Sequence, residues 1–130
     1  MCIRDSSHDL FPTILDYVKG ENDVEIDGKS LMPVMENNSQ ISRDDIFWHF
    51  PHYHGSLWKP GSAIRNNEWK LVHFYEENTK ELYNLNDDFG EANNLADAYP
   101  EIVNKLSNKM DEIKIELNAN KTTLNKNYKK

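Results

Sequence analysis

Three imidazoles stand within six residues, His49, His52 and His54, inside a stretch (46–65) that reads IFWHFPHYHGSLWKPGSAIR. Three such groups can ligate a transition metal. They can also sit half-buried in an aromatic loop, or donate hydrogen bonds to a polar, anionic ligand. A metal site needs a further ligand or water, and no cysteine lies near. The placement also divides the three, because His49 belongs to a run of strand composition while His52 and His54 follow Pro51. For a ligand, Trp48, Tyr53 and Trp58 offer flat faces on which sugar rings can lie. Lys59 and Arg65 add positive charge where an anion needs it. The candidate substrate-binding set is therefore His49, His52, Tyr53, His54, Lys59 and Arg65, with no catalytic residue and no metal ligand assigned. Within the 46–65 stretch, His52 and His54 are the first residues to mutate.

The rest of the chain adds no catalytic machine. Cys2 has no base at a defined spacing, so it is not read as a nucleophile. Asp87, Asp88 and Glu91 do not match a 12-residue calcium loop. Glu76 and Glu77 read as a solvated turn. No Gly-rich phosphate loop, G-x-S-x-G or H-E-x-x-H occurs.

The elements that must position these residues follow from periodicity. Residues 8–18 place Leu10, Ile14 and Val18 on one helical face, capped by Ser7 or Asp9, with Pro12 in the first turn. Asp27-Gly28 marks a turn, and residues 30–35 form one or two helical turns. Strands are expected at 46–50, 62–65, 69–75 and 81–84, the middle pair joined by a turn at 66–68. Short strands joined by tight turns make an antiparallel meander. Pro100 opens a last helix over 99–118, with Ile102, Leu106, Met110, Ile113 and Leu117 in one stripe and Val103 beside it. Full burial of those six side chains would contribute roughly 9–18 kcal/mol before entropy. The expected fold is α+β: a four-stranded antiparallel sheet packed by one C-terminal helix, preceded by a short helical segment.

Composition excludes some partners. The net charge is −7, and four lysines fall in the last ten residues; the body carries 11 basic against 22 acidic groups. Phosphate backbones would be repelled, so no nucleic-acid partner is expected. No apolar run is long enough to span a membrane, and no signal peptide is recognisable. MCIRDS fits no element signal, so residues 1–6 are expected to be a non-native leader on the back end of a longer protein.

The order of motifs resembles the C-terminal end of the type I sulfatases, the arylsulfatase-like family. The resemblance rests on HDLFPTIL at 8–15, DGKSLMP at 27–33, HFPHY at 49–53, PGSAIR at 60–65, WKLV at 69–72, ELYNL at 81–85 and GEANNLA at 90–96. NKNY at 125–128 is similar to the family's terminal N-P-x-Y. It implies that residues 7–44 end an α/β catalytic domain and its linker. Residues 45–119 then form a sheet-plus-helix subdomain, and 120–130 a lysine-rich tail. It also implies a sulfuric ester hydrolase that uses calcium and a formylglycine nucleophile, both from a segment before Ser7. Cys2 lacks the family's C/S-x-P-S-R context. The partners implied are an N-terminal sulfatase domain and a sulfated sugar or aryl sulfate, with a periplasmic, secreted or lysosomal address for the parent. The alternative is a stand-alone carbohydrate-binding or interaction module.

Overall fold

The computed structural model describes residues 6–21, 23–37, 41, 43, 45–55 and 57–123. It divides into two compact units, Met1–Arg43 and Asp44–Lys130.

In the first unit, a single turn of 3-10 helix, Ser7–Asp9, leads into helix α1, Leu10–Tyr17. A second short helix, α2, covers Met32–Asn37, two residues later than sequence placed it. Pro33 is tolerated there because a helix's first-turn amides lack intrahelical partners. The two motifs of this unit interlock. The Asp9 carboxylate accepts the backbone N–H of Ser6 at 2.7 Å and of Lys29 at 2.8 Å, and pairs with the Arg43 guanidinium. The Thr13 hydroxyl accepts the Leu31 N–H at 2.9 Å, and the Ser30 hydroxyl donates to Asp16 at 2.6 Å. Gly28 lies against this junction, where an added Cβ would sit 2.0 Å from the His8 carbonyl oxygen. The apolar stripe of α1 is exposed: Leu10, Phe11, Ile14, Tyr17 and Val18 all face outward in the described structure.

The second unit is the meander read from the sequence. Strands β1 (Asp45–Phe50), β2 (Gly61–Asn66), β3 (Trp69–Phe74) and β4 (Thr79–Asn84) pair antiparallel in chain order. The β2–β3 turn is two residues, with Asn67 at φ 53°, and the β3–β4 turn ends at Asn78 with φ 51°. Asparagine tolerates this left-handed conformation better than most residues. β4 begins two residues before its expected start, which moves the turn to 75–78.

Helix α3, Pro100–Glu116, covers one face of the sheet. Ile64, Leu71 and Leu82 lie side by side across β2, β3 and β4 and form the core with Leu106 and Met110. Phe47, Trp69, Ala96, Ile102, Val103 and Ile113 pack around them. The expected stripe ends early: Leu117 lies past the helix end and is exposed. Only Leu106 and Met110 of the six stripe residues are fully buried, so the helix contributes less than the full-burial figure.

The segment before α3 is not a free polar connection. The Asn94 side chain accepts the Leu82 N–H at 3.0 Å, and Leu95 N–H donates to the Leu82 carbonyl at 2.8 Å. The edge-facing N–H and carbonyl of Leu82 in β4 are thereby satisfied.

Candidate functional site

Alternation along β1 decides where the histidines go. Phe47 and His49 point to the α3 side, paired with Ile64 and Ser62; Trp48 and Phe50 point to the other, paired with Ala63 and Gly61. His49 is therefore parted from His52 and His54. Its Nε2 meets the Asn120 carbonyl at 2.8 Å, and a carbonyl oxygen only accepts, so Nε2 carries the proton. In this tautomer Nδ1 accepts from one hydroxyl of the Ser62–Tyr75 pair, whose oxygens lie 2.9 and 2.8 Å from it and are hydrogen-bonded to each other. The ring also stacks on Phe47, with centroids 6.2 Å apart. Both ring nitrogens of His49 are engaged, Nε2 with the segment after α3 and Nδ1 within the sheet side of the contact.

A cleft of about 420 Å³ adjoins this cluster, lined by His49, Tyr75, Lys114, Asn118, Asn120 and neighbouring residues. Lys114 lies over the Tyr75 ring, 5.1 Å from its centroid. None of the described residues among 52–59 lines it. His73, on the same face, is held below the usual imidazole range by burial, with Lys114 and Lys80 adding to the effect against the Asn78 hydrogen bond.

The opposite face carries the aromatic candidates. Trp48 (46% exposed), Phe50 (39%) and Trp58 (37%) are open to solvent, while Ala63, Val72, Tyr83 and Leu85 are buried beneath with Phe74 packed against them. Trp58 tilts against Phe74 at 6.0 Å. Tyr83 donates to Glu81 at 2.8 Å; burial and that carboxylate push its phenol up to about 12.

His52 and His54 are exposed and approach Phe50 edge-on, with centroids 5.7 and 6.2 Å away. The loop between them and β2 closes on itself: Leu57 N–H donates to the His54 carbonyl at 3.0 Å, and His54 N–H to the Trp58 carbonyl at 3.2 Å. Leu57 adopts φ 67°, a left-handed conformation uncommon for a leucine. The Tyr53 hydroxyl donates to Glu76 at 2.6 Å, and the Lys59 ammonium pairs with Glu77. That pairing holds Lys59 above, and Glu77 below, their ordinary values. Arg65 lies on the aromatic face, four residues along β2 from Gly61 or about 13 Å. Its Nε donates to the Asn67 carbonyl at 3.2 Å.

The structure thus places His52, Tyr53, His54 and Lys59 in one loop, the two histidines against Phe50 and the other two against the β3–β4 turn, and sets His49 and Arg65 apart. Sequence reasoning passed over Glu76 and Glu77, because two acids in a turn are indistinguishable from a solvated turn until their partners are seen. Among the described residues no three His, Cys, Asp or Glu side chains converge to hold a metal. Asp88, weighed as a calcium ligand, has its carboxylate occupied by backbone N–H groups, Asn93 among them at 2.7 Å.

Comparison with known proteins adds the context. Residues 5–116 match the family described as N-sulphoglucosamine sulphohydrolase, C-terminal. A sulfatase of Formosa agariphila is 37% identical over 107 residues, covering 73% of this chain and 19% of the relative. An N-acetylglucosamine-6-O-sulfatase of Bacteroides thetaiotaomicron is 34% identical over 92 residues, covering 67% of this chain and 16% of the relative. A solved structure described as a complex with its substrate D-glucosamine-2-N,6-O-disulfate superposes with TM-score 0.69 at 29% identity, over 86% of this chain and 24% of that one. The chain spans about a fifth of the length of the curated relatives it matches.

Proposed function

The chain belongs to the N-sulphoglucosamine sulphohydrolase C-terminal family, and from that membership we propose that it is the substrate-recognition part of a sulfatase acting on sulfated sugar, inactive without the remainder of the enzyme. The observation that carries the reading is the loop 51–60. It presents His52 and His54, each exposed and edge-on to Phe50, on the sheet face that also carries Trp48 and Trp58. Aromatic faces take the apolar face of a sugar ring, and the imidazoles donate to its hydroxyl or sulfate oxygens. Lys59 extends the donor set with the ammonium hydrogens not engaged by Glu77, the Tyr53 hydroxyl being committed to Glu76, and Arg65 stands farther along the same face. His49 lies on the other face of the sheet and is not part of this site.

Calcium and formylglycine are the groups that sulfatase chemistry calls for. The described residues do not assemble a site for the ion. The part of this chain is to bind and orient the sugar, so that the ester meets a nucleophile supplied from elsewhere in the enzyme.

The test uses the 130-residue chain with D-glucosamine-2-N,6-O-disulfate, followed by NMR titration. His52→Ala and His54→Ala are each expected to weaken binding about tenfold, the equivalent of one charge-assisted hydrogen bond of ~1.5 kcal/mol. His49→Ala should leave affinity unchanged and lower the urea midpoint instead. Unaltered affinity in both loop variants would sink the assignment, as would turnover of an aryl sulfate by the wild-type chain alone.

A further inference from the structure

The β3–β4 turn reaches the histidine loop at two points, one on each of its legs. Tyr53, between His52 and His54, donates to Glu76 at 2.6 Å, and Lys59, before Pro60, pairs with Glu77. Between these points, among the described residues, two of the loop's own backbone hydrogen bonds close it, and Leu57 sits in a left-handed conformation. At the base, Tyr75 N–H donates to the Pro60 carbonyl at 3.0 Å, which brings residues 75–77 beside the loop. The geometry points to Glu76 and Glu77 as positioning residues: two carboxylates that hold the loop so that His52 and His54 keep their places around Phe50.

The two pins differ in chemistry. Glu76 receives a neutral hydroxyl, so a glutamine carbonyl can replace it. Glu77 receives an ammonium, so only another carboxylate can. The Lys59–Glu77 pair is half exposed, and exposed pairs add little to global stability. Their effect therefore falls on the loop and not on the fold.

This inference rests on the sugar-recognition reading for its purpose, but its test does not. Amide hydrogen exchange of residues 52–59 in the full chain reads the pins directly. The double variant Glu76→Ala/Glu77→Ala should raise loop exchange at least threefold while Leu71 and Leu82 amides stay unchanged. Glu76→Gln paired with Glu77→Asp should restore wild-type exchange, whereas Glu77→Gln should not. Unchanged loop exchange in the double alanine variant overturns the proposal, and so does an equal rise in the loop and the core. In the same variants the disulfated glucosamine should bind more weakly in proportion to loop exchange. A loosened loop with unaltered sugar affinity would confirm the pins and discard the sugar site.

Discussion

Asp9 is the most consequential single residue outside the loop. Burial pushes its carboxyl up, but the Arg43 guanidinium and the Lys29 and Ser6 amides outweigh that and hold it below its ordinary value. Its stabilising effect is therefore fully present above the unfolded value near pH 4, and is lost as pH falls through the lower folded value. Asp9→Asn, which removes the carboxylate from this largely buried ion pair, should destabilise the first unit by about 3 kcal/mol at pH 7. Exchange of the α1 amides at pH 7 and pH 3 checks this: the wild type should loosen in acid and the variant should already be loose. HDL and DGKSL could be recognised in the sequence as motifs. That they are two halves of one junction could not, because the bonds joining Asp9 to Lys29 and Thr13 to Leu31 span 18 to 20 residues. The histidines show the same limit. Strand alternation is readable, but the partner that uses up Nε2 of His49 lies 71 residues away.

At the scale of elements, period and turn chemistry carried most of the information. The four strands, their antiparallel order and the proline-led last helix were legible because each depends on neighbours in sequence. The failures sit at element ends. Leu117 continues the 3.6-residue period, yet the helix stops at Glu116, and Asn118 takes φ 46° just beyond. A stripe shows which side would be buried, not where the opposing sheet runs out. Leu106→Ala, in the fully buried core, should lower unfolding free energy by about 2–5 kcal/mol. Leu117→Ala should stay within about 0.5 kcal/mol of wild type. Urea unfolding followed by tryptophan fluorescence separates the two, and equal losses would place Leu117 in the core after all. The role of Asn94 was hidden for a different reason: a polar residue in a connection gives no period, and only the β4 edge beside it shows what its side chain is for.

For the whole molecule, net charge and proposed ligand have the same sign. The chain carries −7, and a sulfated sugar is anionic. Long-range repulsion then opposes encounter, while contacts within the loop act only at close range. Added salt screens the first beyond about 8 Å at physiological strength. The association rate for the disulfated glucosamine is accordingly expected to rise between low and physiological salt, read by stopped-flow; a steep fall would mean that a local basic field governs approach. The sheet has one more consequence, in time and not in space. Its strands pair in the order in which they occur, so each can find its neighbour across a short closure, the arrangement that speeds folding. The contacts of the sheet with α3 and beyond are the long-separation ones, among them the Asp45–Lys109 ion pair and the His49–Asn120 bond. β1 can therefore pair early in folding, but it is fastened at its histidine only after α3 has docked and delivered the residues beyond it. The loop 51–60, which leaves β1 one residue after His49, would acquire its final geometry among the last events of folding.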